Sequence, residues 1–346
     1  MSERLFYGAM RGKNTTTVTI RGKDIMTVPP IIQNLIYLKH LDLMSNQISK
    51  LCPEFSYLTK LTKLNLANNK LEEVPEELMY LKNLEVLYLF KNMIKSFSPR
   101  SLDNLQNLNT LNLNKNMLKT IPPEIKSLQN LKTLYLNNNE LIDIPKEICS
   151  LAYLSDLQLN YNQLVCLPEE FKSMQSLRKL SLARNFFEVF PTVLFSLKSL
   201  ETLDVAGNFI QIFPREVQQM KLKEFFCEEN PFLKKVPIYV RQKEEIFPLQ
   251  EIAGRYIMNQ LYKEAPMILQ TIIYYPEILE ILANYRECML CGKHILNSGI
   301  ECVIFIPPKK NWKTSCEIEK VPHETVMCSK TCFELREPNV FRLQKR

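Results

Sequence analysis

Residues 108–130 read LNTLNLNKNMLKTIPPEIKSLQN, and residues 131–153 read LKTLYLNNNELIDIPKEICSLAY. Set one beneath the other, the two stretches put Asn116 over Asn139, Leu118 over Leu141 and the pair Ile121-Pro122 over Ile144-Pro145. The register extends in both directions. Asn46, Asn69, Asn92, Asn116, Asn139, Asn162, Asn185, Asn208 and Asn230 follow one another at intervals of 22 to 24 residues. Leucines at alternate positions precede each asparagine, as in Leu61, Leu64 and Leu66 before Asn69, and an apolar-Pro pair such as Val74-Pro75 or Leu167-Pro168 follows most of them. A period of this length marks stacked supersecondary units, none of which can bury its apolar face alone.

Each part of the unit has a physical role. Alternating leucines put one face of a short strand into a core and leave the intervening residues outside. The asparagine amide then satisfies backbone groups left bare in the turn, and stacking repeats that bond as a ladder. The P-x-x-Φ-x-x-L stretch, as in Pro122, Ile125 and Leu128, returns the chain in a tight helical turn. A weaker first unit occupies Val18, Ile20 and Ile25, with Lys23 in the asparagine position. At Leu51-Cys52-Pro53 and Phe97-Ser98-Pro99 the proline comes one residue late, which predicts a convex bulge at both. Only seven glycines occur in the chain, so few positions are expected at positive φ.

The unit LxxLxLxxNxLxxLPxxΦ resembles the 23-residue intracellular class of the leucine-rich-repeat family over residues 18–237. The resemblance implies an α/β solenoid with a curved parallel sheet on its concave side and short helical turns outside, and a role in binding proteins. The concave face would be tiled by the residues between the strand leucines. These include Val86, Tyr88 and Phe90, then Asn112 and Asn114, Tyr135 and Asn137, Gln158 and Tyr161, and Arg184. Aromatics among amides suit an interface hot spot, so these are the candidate partner-binding residues.

After residue 237 the repeat ends, and the organisation expected is an N-terminal segment 1–17, a solenoid 18–237, a helical cap 238–285 and a cysteine-rich module 286–346. An amphipathic helix is expected over 244–262 and apolar segments follow Pro266 and Pro276. The cysteines Cys288 and Cys291, then Cys328 and Cys332, are spaced C-x2-C-x36-C-x3-C. Two close pairs of this kind suit one structural, tetrahedral Zn2+. Cys302, Cys316, His294 and His323 are alternative ligands. Ile300–Ile306 and Lys309–Trp312 read as a short hairpin and loop. The C-x2-C-G-K and C-S-x2-C pair resembles treble-clef-like zinc modules.

Pro248-Leu249-x3-Ala253-x3-Ile257 resembles the box by which substrate receptors of cullin-type ubiquitin ligases dock on elongin C. Leu249, Ala253 and Ile257 would be the adaptor-binding residues, although alanine stands where that box usually has cysteine. The competing reading is a helix that caps the solenoid.

Other classes find little support. The net charge of +7 is mild and forms no block of like charges that would track a nucleic-acid backbone. The apolar stretch 265–285 is interrupted by Gln270, Thr271, Glu277 and Glu280, so no membrane span is expected. Ten cysteines without a secretory signal imply a reduced, cytoplasmic protein. With three histidines and no phosphate-binding loop or nucleophile elbow, the chain is not expected to be an enzyme.

Overall fold

A computed structural model describes residues 2–9, 14–233, 249–261, 274–283, 285–296, 299–314, 319–335 and 340–342. The chain divides into two compact units, Met1–Phe209 with Met220–Asn230 and Lys310–Ser315, and Ile210–Gln219 with Pro231–Lys309 and Cys316–Arg346. The division interleaves the chain where the sequence suggested consecutive blocks.

The first unit is the solenoid. Ten three-residue strands, from Thr17–Thr19 and His40–Asp42 through Thr202–Asp204 and Glu224–Phe226, and the two-residue strand Trp312–Lys313 form an eleven-stranded sheet that is parallel throughout. Register follows the repeat: Leu111 sits opposite Leu134, and Leu134 opposite Leu157. These central leucines are fully buried while their neighbours are half-exposed, so one strand face supplies the core. Burying each such leucine contributes about 1.5–3 kcal/mol. The chain returns through five-residue 3-10 turns such as Pro123–Ser127, Lys146–Ser150 and Glu169–Ser173, which bury Ile125, Ile148 and Phe171.

The ladder asparagines are all buried. Asn139 is representative: its Nδ2 donates to the carbonyls of Leu136 and Leu113, both at 3.0 Å, and its Oδ1 accepts the Leu118 N–H at 3.1 Å. One amide thus closes its own turn and ties it to the preceding repeat. The first unit lacks an asparagine of its own, and Asn46 serves it by accepting from Lys23 N–H and Ile25 N–H and donating to the Ile20 carbonyl.

The residue before each ladder asparagine is left-handed, and here the glycine count misleads. Gly207 fills the position once, but Ser45, Asn68, Lys91, Lys115, Asn138, Tyr161, Arg184 and Glu229 adopt the same φ of 55–60° without being glycine. A left-handed residue with a Cβ costs about 1–2 kcal/mol. The ladder bonds on either side hold the conformation against that cost.

The late prolines also differ from expectation. Pro53 opens a 3-10 turn, Pro53–Tyr57, at the same register as Glu76–Tyr80, so Cys52 simply stands where other repeats have proline and nothing bulges. The extra residue after Asn92 is real, and the segment carries left-handed Arg100 and Asn104 in place of a 3-10 turn.

Both ends of the sheet are finished. The helix Ser2–Ala9 buries Phe6 completely. At the far end, Trp312–Lys313 pairs in parallel with Glu224–Phe226, and the Trp312 ring meets Phe225 edge-on at 4.8 Å. Asn311 Nδ2 donates to the Leu222 carbonyl at 2.7 Å. The stretch read as a loop is therefore the last strand of the solenoid, a pairing about 86 residues distant in sequence that no local pattern reveals.

The second unit is built on a four-stranded sheet ordered Phe213–Pro214, Val321–Met327, Ile300–Ile306, Val340–Arg342. Ile300–Ile306 and Val321–Met327 pair antiparallel along their full length, from Ile300 opposite Met327 to Ile306 opposite Val321. Its core gathers Ile295, Ile300, Cys302, Ile304, Val326 and Val340. Helices run over Leu249–Leu261 and Pro276–Ala283; residues 244–248, 262 and most of the segment after Pro266 lie outside the described residues.

Replacing Asn139 with leucine strands three buried backbone groups, each costing about 1–3 kcal/mol. Asn139→Leu is expected to lower unfolding stability by about 3 kcal/mol or more in urea titration, whereas exposed Lys132→Ala changes it by less than about 0.5 kcal/mol.

Candidate functional site

On the concave face, Val86, Tyr88 and Phe90 project from one repeat and are half-buried. The Tyr88 and Phe90 rings meet edge-on at 6.4 Å, and Lys63 Nζ lies 5.5 Å from the centre of the Tyr88 ring. Tyr135 stands two repeats along in the same column as Tyr88 and Asn112. Its hydroxyl approaches Asp156 Oδ2 at 3.4 Å. Burial, then the Asp156 charge, holds the Tyr135 phenol above its ordinary pKa, and burial likewise raises Asp156 and Asp204.

Several of the amides in this face have structural work. Asn114 Oδ1 accepts the Asn137 N–H at 2.7 Å, Asn137 Oδ1 accepts the Asn160 N–H at 2.8 Å, and Asn160 Oδ1 accepts the Ala183 N–H at 2.7 Å. This is a second, half-exposed ladder with the same 23-residue step. Asn112 Oδ1 takes the Asn114 N–H, and Asn137 Nδ2 donates to Gln158 Oε1 at 2.8 Å. Tyr161 and Arg184 occupy the left-handed turn position at the margin of the strands, both exposed, and Arg184 is ion-paired with Glu229. Sequence reading omitted Lys63, Asp204 and Phe226, although each stands on a strand at a position between core residues.

In the second unit, the sulfur atoms of Cys288, Cys291, Cys328 and Cys332 lie within 4.8 Å of one another. Cys291 Sγ and Cys332 Sγ are each 3.5 Å from Cys328 Sγ, far beyond the S–S bond of about 2.05 Å. Tetrahedral ligation at about 2.3 Å would set the sulfurs about 3.8 Å apart, so the four thiols fit such an ion. Two local devices form the cluster. Gly292, at φ +68°, closes the Cys288 turn with its N–H on the Cys288 carbonyl at 2.9 Å. Ser329 caps the helix Lys330–Glu334 by accepting the Cys332 N–H. Burial disfavours the Cys288 thiolate, but N–H groups of Cys291, Cys328 and Leu290 outweigh it and bring the pKa down to about 7. Burial and its neighbours push Cys328 up. Four cysteines placed this closely could hold a metal ion.

Of the other proposed ligands, Cys302, His294 and His323 are not part of the cluster. Cys302 is buried with its thiol on the Ile300 carbonyl. His323 Nδ1 lies 3.0 Å from the Val321 carbonyl oxygen and its Nε2 3.1 Å from Gln218 Nε2. His294 is buried with Tyr285 edge-on at 4.8 Å, and Cys316 lies outside the described residues. None of the nine described cysteines forms a disulfide.

The helix Leu249–Leu261 presents a different face from the one its apolar spacing suggests. Leu249, Ile252, Ala253 and Tyr256 are exposed, whereas Glu251 and Gly254 are buried. Glu251 Oε1 accepts the Leu296 N–H at 3.0 Å and Arg255 Nε at 2.6 Å, and Arg255 donates on to the Cys328 carbonyl at 3.1 Å. A Cβ on Gly254 would lie 2.0 Å from Leu296, which is why a glycine sits there. Of the adaptor-box residues, Leu249 and Ala253 are exposed, but Ile257 is half-buried against the Leu282–Leu296 cluster. The three do not share one open face.

A family profile described as "Leucine-rich repeat region" matches residues 92–228, and one described as "Leucine rich repeat" matches 36–94 and 59–118. The chain belongs to the leucine-rich-repeat family. Its similarity to human leucine-rich repeat-containing protein 69 is 46% identity over 120 residues, which is 35% of this chain and 35% of that protein. The chain thus spans about a third of the length of the curated relatives it matches. Among solved structures, the plant peptide hormone receptor RGFR1 in complex with RGF2 is 28% identical with a TM-score of 0.55, covering 62% of this chain and 36% of that one. PEPR1-AtPEP1 gives the same identity and score over 64% and 32%. No described helix of this leucine-rich-repeat protein is long and apolar enough to cross a membrane.

The buried His323 sets a pH dependence. Burial brings its pKa from 6.5 down to about 4, so the folded form keeps it neutral while the unfolded chain protonates. Its contribution is present above the unfolded pKa and is lost as pH falls toward the folded value. By linkage, the fold should lose about 2 kcal/mol between pH 7 and pH 5 on this account. Denaturation of His323→Gln across the same range should show a correspondingly shallower loss.

Proposed function

We propose that this protein is a non-catalytic scaffold that recognises a protein partner on the concave face of its solenoid, with a second unit held together by one structural Zn2+. The observation that carries the first part is the half-buried row of Val86, Tyr88, Phe90 and Tyr135 on a rigid parallel sheet. Rigid aromatics bind at little entropic cost, and such residues dominate interface energetics. The 28% identical RGFR1 is seen in complex with RGF2, which supports peptide or protein recognition as the use of this architecture.

The test is capture of partners by the wild-type chain and by a Tyr88→Ala/Tyr135→Ala variant whose melting is unchanged. Partners of the concave face are expected to lose at least about 30-fold in affinity, the effect of a hot spot worth about 2 kcal/mol. Equal retention of every partner by both forms would overturn the reading.

Cys288, Cys291, Cys328 and Cys332 would be the four zinc ligands, and their thiolates leave no position for substrate, so the ion's chemistry there is structural. Elemental analysis of the purified chain is expected to give about one zinc, lost in Cys328→Ser. A chain that binds no zinc and melts alike with and without chelator would leave these as ordinary thiols.

A further inference from the structure

Each ladder asparagine is followed by a turn in which residues alternate between core and solvent. In the C-terminal turns, Leu164, Phe187 and Phe190 point inward and are fully buried. The outward positions should be polar, because the stack gains nothing from them, and in the earlier repeats they include Ser49, Glu72, Lys95 and Lys119. Met93 and Met117 are exceptions there, and from Asn139 onward larger apolar residues take several of the outward positions, among acidic and amide ones. Ile142, Val165, Phe186, Val189 and Phe209 are all exposed, Val189 by 71%.

Val165, Phe186, Val189 and Phe209 share a surface. Phe186 and Phe209, from adjacent repeats, stack at 5.9 Å with their planes 12° apart. Val165, Phe186, Glu188, Val189 and Phe209 line a shallow depression of about 600 Å³. Scattered exposed apolar residues are ordinary, but a contiguous patch on a folded protein marks an interaction site.

Charge narrows the occupant. Lys50, Lys70, Lys95 and Lys119 place one lysine in each of the four turns that follow Asn46, Asn69, Asn92 and Asn116. Residues 139–145, 162–170 and 185–191 contain neither lysine nor arginine, while Glu188 lines the depression and Glu140 and Asp143 flank Ile142 in the sequence. None of these three carboxylates is in an ion pair among the described residues.

We propose that this acid-rimmed patch on the flank of the repeat stack, centred on Phe186, Val189 and Phe209, docks a polypeptide segment carrying neighbouring apolar side chains flanked by lysine or arginine. The patch follows the ladder asparagines in sequence, whereas the concave residues precede them, so it is a second recognition surface and does not depend on the first. Its apolar centre supplies affinity, and its carboxylates select against acidic partners.

The test uses a phage-displayed random dodecapeptide library selected on the full chain. Recovered peptides are synthesised and their binding is followed by fluorescence polarisation at low and high salt. The enriched sequences should pair apolar residues with lysine or arginine and bind more weakly as salt rises. Val189→Asp and Phe186→Ser should each weaken binding at least tenfold and Glu188→Lys at least threefold, with unchanged melting. Tyr88→Ala on the concave face should leave it alone. No enrichment, a consensus without basic residues, or affinity indifferent to Val189→Asp overturns the proposal. A wild-type dimer in sedimentation that Val189→Asp dissociates overturns it too, by giving the surface to a second copy of the chain.

Discussion

The solenoid depends on a buried amide. A strand of three residues has too few hydrogen bonds to persist alone, and the turn after it leaves backbone groups without partners. Each ladder asparagine answers both needs, bonding the carbonyl three residues back and reaching carbonyl and N–H groups of the repeat before it. The leucines supply most of the burial energy, but leucine has no preferred neighbour. The amide fixes which turn lies against which, and so sets the register in which the leucines meet. The left-handed residue just ahead of it follows from the same bonds, since the turn must bend sharply to bring the amide inward.

Much of this could be read directly. The period, the inward leucines and the ladder needed only the spacing from Asn46 to Asn230, because local chemistry repeats wherever the residues do. Features that join distant residues were not legible. Trp312–Lys313 completes the sheet against Glu224–Phe226, yet its sequence looks like a loop because a two-residue strand carries no period. Glycine count was a poor guide to backbone conformation, since asparagine, lysine, tyrosine and arginine take the left-handed position when flanking bonds hold it.

The candidate sites were legible to different depths. The four cysteines converge: each pair is held close by its own short turn, and the Met289 N–H on the Val326 carbonyl at 3.0 Å joins the two pairs. The concave residues could be named from alternation, but alternation cannot say that Asn114 and Asn137 already cap backbone N–H groups of the next repeat. The helix 249–261 misled because spacing gives an apolar face without saying what covers it. There the buried anchor is Glu251, whose carboxylate answers a backbone N–H and an arginine. The flank patch was not legible because the repeat pattern fixes only the inward positions after each asparagine and leaves Val165, Phe186, Val189 and Phe209 unassigned.

The strand Trp312–Lys313 also bears on how the chain is made. Ribosomes extend a chain by about 5–20 residues per second, so the 86 residues from Phe226 to Trp312 take roughly 4–17 s to appear. Through that interval the nascent solenoid ends in an unpaired edge with Phe225 lacking its tryptophan. Unprotected strand edges invite pairing with other chains. The finished molecule thus hides a hazard that its growing form must live with, and the closing strand arrives only after most of the chain has been built.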